Sequence, residues 1–202
     1  MEKPILFNTE MVRAILDGRK TQTRRLVVPH YRDGDAGYRI VTNATTGEFC
    51  YIEYYDEDEY STDRRLKPPY MPGDLLYVRE TWAGIKLGPK GKETTTYWYR
   101  ADEDDDRLNP DDKWRPSIHM PKEAARIWLK VKKVKAQRLQ EITNDDAKAE
   151  GVICATDNSG MMHRHKFRVL WDSITDTQTS WDANPWVWVI DFERLEGKHN
   201  DD

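Results

Sequence analysis

The run Trp186-Val187-Trp188-Val189-Ile190-Asp191-Phe192-Glu193 alternates without a break. Trp186, Trp188, Ile190 and Phe192 fall on one face, and Val187, Val189, Asp191 and Glu193 on the other. A period of two is the signature of a strand, and faces this apolar predict one that runs through a core. Such a strand needs others beside it, and residues 38–42, 48–55, 74–80, 95–100 and 126–138 also read as strands, mostly short and rich in β-branched or aromatic side chains. The longest, 126–138, places Ile127, Leu129 and Val131 on one side and Lys130 and Lys132 on the other, as expected for a barrel wall with one wet face.

Helical spacing is confined to three segments. Residues 8–17 carry Met11, Val12, Ile15 and Leu16 at helical intervals, open on Asn8 and Thr9 as cap candidates, and stop at Gly18. Residues 143–150 begin with Thr143 and Asp146, a cap with helpful negative charge in its first turn, and end at Gly151. Residues 161–173 present Phe167, Leu170 and Trp171 to a core. The expected class is therefore α+β, a small β-rich domain covering 1–202. Two stretches rich in Pro, Gly, Asp and Arg, about 56–73 and 84–120, read as long loop insertions, and 196–202 as a disordered tail.

A chain of 202 residues can bury a core without disulfides. Its two cysteines, Cys50 and Cys154, stand far apart, which fits a reducing cytoplasm and argues against a cysteine-rich metal site. No secretory leader and no apolar run long enough to cross a bilayer can be read, so a cytoplasmic protein without a membrane partner is expected, and the Asn43-Ala44-Thr45 sequon carries no weight. The formal net charge of −4 opposes nucleic-acid binding through bulk charge. Its distribution is uneven. Acid is concentrated at 56–59 and 102–106, base at 19–25 and 130–138, and without the two acidic runs the remainder would carry about +5.

The richest polar motif is Gly18-Arg19-Lys20-Thr21-Gln22-Thr23-Arg24-Arg25, which follows directly on the first amphipathic helix. Cations beside small hydroxyls suit phosphate or a nucleobase edge, because Arg offers a planar fork and Thr both donates and accepts. A basic turn after a helix is commonly solvated surface, but Thr21 and Thr23 favour a strand immediately afterwards, which would not be wet on both faces. Strict alternation sets Lys20, Gln22 and Arg24 against Thr21, Thr23 and Arg25, so Lys20 and Thr23 can meet only if the chain bends between them.

With this order of elements, the chain resembles the activating signal cointegrator homology (ASCH) domain. The residues that carry the resemblance are Gly18, Lys20 and Thr23, with Arg25 or Arg24 completing Gly-x-Lys-x-x-Thr-x-Arg, and the Gly73-Asp74 pair before a strand. The opening from Pro4 to Arg25 and the closing Trp181 to Leu195 are similar to the larger ASCH proteins of phages and prophages. The resemblance implies a PUA-like β-barrel flanked by short helices. A bacterial branch with a similar first motif hydrolyses the acyl amide of N4-acylated cytidines such as N4-acetylcytidine, using a Lys, a Thr and a Glu. These fall on Lys20, Thr23 and, after the basic strand, Glu150, with Glu141, Asp145 and Asp146 close by as substitutes.

That chemistry is sound in itself. A Thr hydroxyl needs a base to act as a nucleophile, a desolvated Lys among cations can be that base, and a carboxylate can hold water or pass a proton to the leaving amine. The same carboxylate paired with the Lys would instead form a salt bridge. Arg19, Thr21, Arg24, Arg25, Asp74, Tyr77 and Trp82 are the candidate contacts to a nucleoside or to RNA, the two classes of partner expected for a monomer. The alternative uses of such a cleft are a non-catalytic reader of RNA or modified bases, with Tyr77, Trp82 and Trp128 as stacking candidates, and a metal-independent ribonuclease. Core packing is the competing role for Trp82, and the stronger one for Trp186 and Trp188. No cofactor is expected. His163 and His165 lie two apart on a helix, and His30 and His119 lack supporting ligand spacing, so no metal site is expected either.

Overall fold

The computed structural model describes residues 1–28, 36–42, 49–88, 94–102, 113–153 and 162–196. His30, Asn43, Cys154, Met161, the acids at 103–106 and the tail from 197 lie outside these. The protein is mixed α+β, built mostly of sheets with a few short helices. Two compact units are formed, one by Met1–Thr21, Gly73–Lys130 and the chain from Phe192, the other by Gln22–Pro72 and Val131–Asp191.

In the first unit, β1 (Glu2–Leu6) runs parallel to β6 (Leu75–Arg79), and Leu75 to Tyr77 pair antiparallel with the start of β9 (Trp128–Arg138). Pro4 hides β1 from sequence reading, and it is tolerated because β1 is the end strand of its order. α1 (Thr9–Leu16) begins where the Asn8 side chain accepts from the Met11 amide at 2.9 Å. It ends at Gly18, whose φ of +73° only glycine adopts without strain. Ile5, Phe7, Val12, Ile15, Leu76, Val78, Leu129 and Phe192 are buried. The hairpin of β7 (Trp82–Leu87) and β8 (Thr94–Tyr99) packs Trp82, Tyr97 and Tyr99 with Met120 and Ala124.

In the second unit, β2 (Gln22–Leu26) pairs antiparallel with β10 (Trp186–Arg194), Gln22 opposite Asp191 and Leu26 opposite Val187. Val187, Trp188, Val189 and Ile190 are all buried. The alternation predicted for this strand therefore has no wet face in that stretch, because β10 lies between β9 and β2. On β9, Lys132 and Lys133 are both exposed between the buried Val131 and Val134, so the apolar phase shifts by one residue there. β3 (Gly37–Thr42), β4 (Phe49–Tyr55) and β5 (Ser61–Leu66) form an antiparallel meander. α2 (Asn144–Ala149) and α3 (Met162–Ile174) enclose a core of Leu139, Ile142, Ala147, Phe167, Trp171, Trp181, Val187 and Val189.

The stretches expected to be long loops carry strands. β5 forms inside 56–73 and most of β7 inside 84–120, where β8 answers to the strand expected at 95–100. Ser-Thr-Asp-Arg-Arg-Leu has no apolar alternation to announce β5. It is held by pairing to β4 and by Arg64 and Arg65, whose guanidinium groups lie 4.4 Å from the rings of Tyr54 and Tyr51. Among the described residues no barrel closes, the strand order being β1-β6-β9 in the first unit and β9-β10-β2 in the second.

Candidate functional site

The motif after α1 is not a solvated turn. Arg19 is half-buried and Thr21 exposed, whereas Lys20, Gln22, Thr23 and Arg24 are buried. The turn that leads into it is locked by the amides of Arg19 and Lys20, which both donate to the Ala14 carbonyl at 2.9 Å. In the first unit, the Lys20 side chain is 2% exposed, and its Nζ sits 5.6 Å from the centre of the Phe7 ring, which packs on Phe192. Thr21 gives its carbonyl to the Phe192 amide at 2.9 Å, and Arg19 is held by Asp17 at 2.7 Å.

In the second unit, Thr23 is 3% exposed on β2, opposite Ile190. Beside it a polar network joins β2 to α2. Arg24 donates from Nη1 to Gln22 Oε1 at 2.6 Å and to Glu150 Oε1 at 3.0 Å, while its Nη2 lies 3.4 Å from Asp146 Oδ2. Gln22 donates from Nε2 to Asp146 at 3.1 Å and to Asp191 at 2.6 Å. The Phe167 ring lies 5.6 Å from the Arg24 guanidinium. Glu150, the C-cap of α2, is thus brought together with Arg24.

The electrostatics follow from this packing. Burial alone would raise the Asp146 carboxyl, but hydrogen bonds from the Thr143 amide and hydroxyl and from Gln22, with the charge of Arg24, hold it below the ordinary carboxylate range. Burial pulls Arg25 below the usual guanidinium value, against the opposing pull of Tyr70 and Glu150. Burial likewise raises the Tyr70 phenol, opposed by Arg25.

The remaining candidates have partners within the first unit. Asp74 is buried and ion-paired to Lys3 at 2.7 Å and to the amino group of Met1 at 3.4 Å. Tyr77 packs on Trp128, their ring centres 5.8 Å apart, and Trp82 is 5% exposed and packs in the hairpin core. Among the described residues, no three His, Cys, Asp or Glu side chains gather as metal donors, and no helix is long and apolar enough to cross a membrane.

The sequence names Gln22 within the motif and Asp146 as a cap and a substitute for Glu150, but does not single out Gln22, Asp191 or Phe167 as site residues. A signal was present: Asp146 and Glu150 are four apart on a capped helix, and Gln22 and Arg24 are two apart on a strand, the spacings that put each pair on one face. No family model, curated protein or solved structure matches the chain.

Proposed function

We propose that this chain is a nucleoside-directed hydrolase of ASCH type, with a PUA-like fold, acting on the acyl amide of N4-acylated cytidine. The reading is supported above all by the burial of the motif: Lys20, Thr23 and Glu150 are 2, 3 and 6% exposed, whereas ordinary surface Lys and Glu remain in water. Thr23 is the nucleophile, Lys20 the base, and Glu150 the carboxylate that holds water or returns a proton. In the overall reaction the bond from the acyl carbon to N4 breaks, water supplies the hydroxyl of the released carboxylic acid, and N4 leaves as the amine of cytidine.

The test is incubation of the purified protein with N4-acetylcytidine and, separately, with single-stranded RNA, alongside Lys20→Ala and Thr23→Ala. Release of cytidine by the unaltered chain and its loss in both variants is the expected result. Release that survives in both variants would remove the trio. No release, with salt-sensitive retention of RNA, identifies a reader instead, and RNA cleavage in the presence of a chelator identifies a nuclease.

A further inference from the structure

We infer that Arg24 is the positioning residue for Glu150, a role that rests on the hydrolase reading above and deepens it. The two side chains are 1% and 5% exposed, and join at 3.0 Å across 126 residues of sequence. The contact is one rung of a ladder. Asp146 and Glu150 stand four residues apart along α2, a rise of about 6 Å, and Gln22 and Arg24 stand two apart along β2, about 6.6 Å. The near match lets Gln22 meet Asp146 while Arg24 meets Glu150, so the helix is held to the strand at both ends of one face.

The ladder is directional. Gln22 turns its Oε1 to Arg24 and its Nε2 to Asp146 and Asp191, and it cannot rotate without breaking all three bonds. Arg24 Nη1, shared between Gln22 and Glu150, is thereby fixed in the plane that orients the Glu150 carboxylate. A lysine reaching the same place would supply the charge without the fork.

A purely stabilising ion pair would satisfy its donors. Arg24 does not: among the described residues its buried Nε and Nη2 have no hydrogen-bond partner, Nη2 approaching Asp146 without the alignment a bond requires. The guanidinium is therefore placed at a standing cost to stability, which is the pattern of a group held where a site needs it.

The test uses the full chain with N4-acetylcytidine and measures kcat and KM for the wild type, Arg24→Gln, Arg24→Lys, Glu150→Gln and the double variant Arg24→Gln/Glu150→Gln, with folding followed by circular dichroism and urea midpoints. In Arg24→Gln, kcat should fall at least about 30-fold while KM stays within about threefold, with partial recovery in Arg24→Lys. The double variant should be no slower than Glu150→Gln, because Arg24 acts through that carboxylate. If Arg24→Gln does not fold, Arg24→Lys decides by the same split of kcat from KM. Wild-type hydrolysis with kcat unchanged in folded Arg24 variants overturns the positioning role alone, as does a double variant in which the two losses multiply. A wild type that releases no cytidine overturns the hydrolase reading and this role with it.

Discussion

Arg126 grips both carboxylate oxygens of Glu80, from Nε at 2.9 Å and from Nη2 at 3.0 Å, in the interior of the first unit. Glu80 is 1% exposed, and its backbone amide donates to the sulfur of Met120 at 3.2 Å. The Tyr99 ring lies 3.9 Å from the same guanidinium, the Tyr99 hydroxyl donates to the Ala124 carbonyl at 2.7 Å, and Asp102 takes the third corner of the Arg126 fork. Burial pushes the Tyr99 phenol up to about 12. One carboxylate therefore organises the packing of the β7–β8 hairpin against the chain at 120–126.

Glu80→Ala should destabilise the protein by about 3–5 kcal/mol, because a desolvated guanidinium is left without its main partner. Glu80→Gln should cost less, since it keeps the shape and one acceptor. Urea unfolding at neutral pH measures both. Equal costs for the two would mean that volume, not charge, matters at this position. Burial also raises the Glu80 carboxyl above its ordinary value, Arg126 opposing. The folded state then binds the proton more tightly than the unfolded one. The contribution of this group is complete below the unfolded value of about 4.3 and is lost as pH rises through the folded one. Glu80→Gln should remove that decline.

Asp146 titrates with the opposite sign. Its folded value is depressed, so its contribution is present above the unfolded value of about 3.9 and is lost as pH falls through the folded one. Urea midpoints taken below pH 4 should fall less steeply for Asp146→Asn than for the wild type. Thr143 is the N-cap: its amide donates to that carboxylate at 3.1 Å, and its hydroxyl accepts from the Asp146 amide at 3.0 Å. Thr143→Ala should cost about 1 kcal/mol and move the Asp146 titration upward in a carbon-13 NMR experiment. An unmoved titration would show that the cap does not govern Asp146.

Gly37 is fixed by a neighbour, not by its backbone. A Cβ at this position would collide with the hydroxyl end of Tyr55, directly opposite on β4. Gly37→Ala should therefore destabilise the meander by about 1–3 kcal/mol, as overpacking does elsewhere. Tyr55→Ala in the same chain should give back part of the loss, which a double-mutant cycle on the thermal midpoint reads directly. Additive effects would show that the close approach is relieved elsewhere.

The strands at 38–42, 48–55, 74–80, 95–100, 126–138 and 186–195 were legible because their alternation or β-branched content is local, and each coincides with an element within a residue or two. α1 was legible from Asn8 and Gly18, and α2 from Thr143, Asp146 and Gly151, since caps act within a single turn. β1, β5 and β7 were not. Pro4, the polar run 61–66 and the small residues Ala83 and Gly84 carry no strand pattern of their own, and those segments are extended because a partner strand supplies their hydrogen bonds.

The candidate site divides along the same line. Sequence by itself determined which groups the motif contains and that a capped helix ending in Glu150 follows the basic strand, because residue identity and helix capping are local matters. Only the tertiary structure decided that Lys20, Thr23 and Arg24 leave water while Arg19 and Thr21 do not, and that Arg24 closes on Glu150. The reason is physical: burial depends on which surfaces are brought together. A hydrogen bond spanning 126 residues exists only once β2 and α2 have been packed into register, a distance over which no local preference acts.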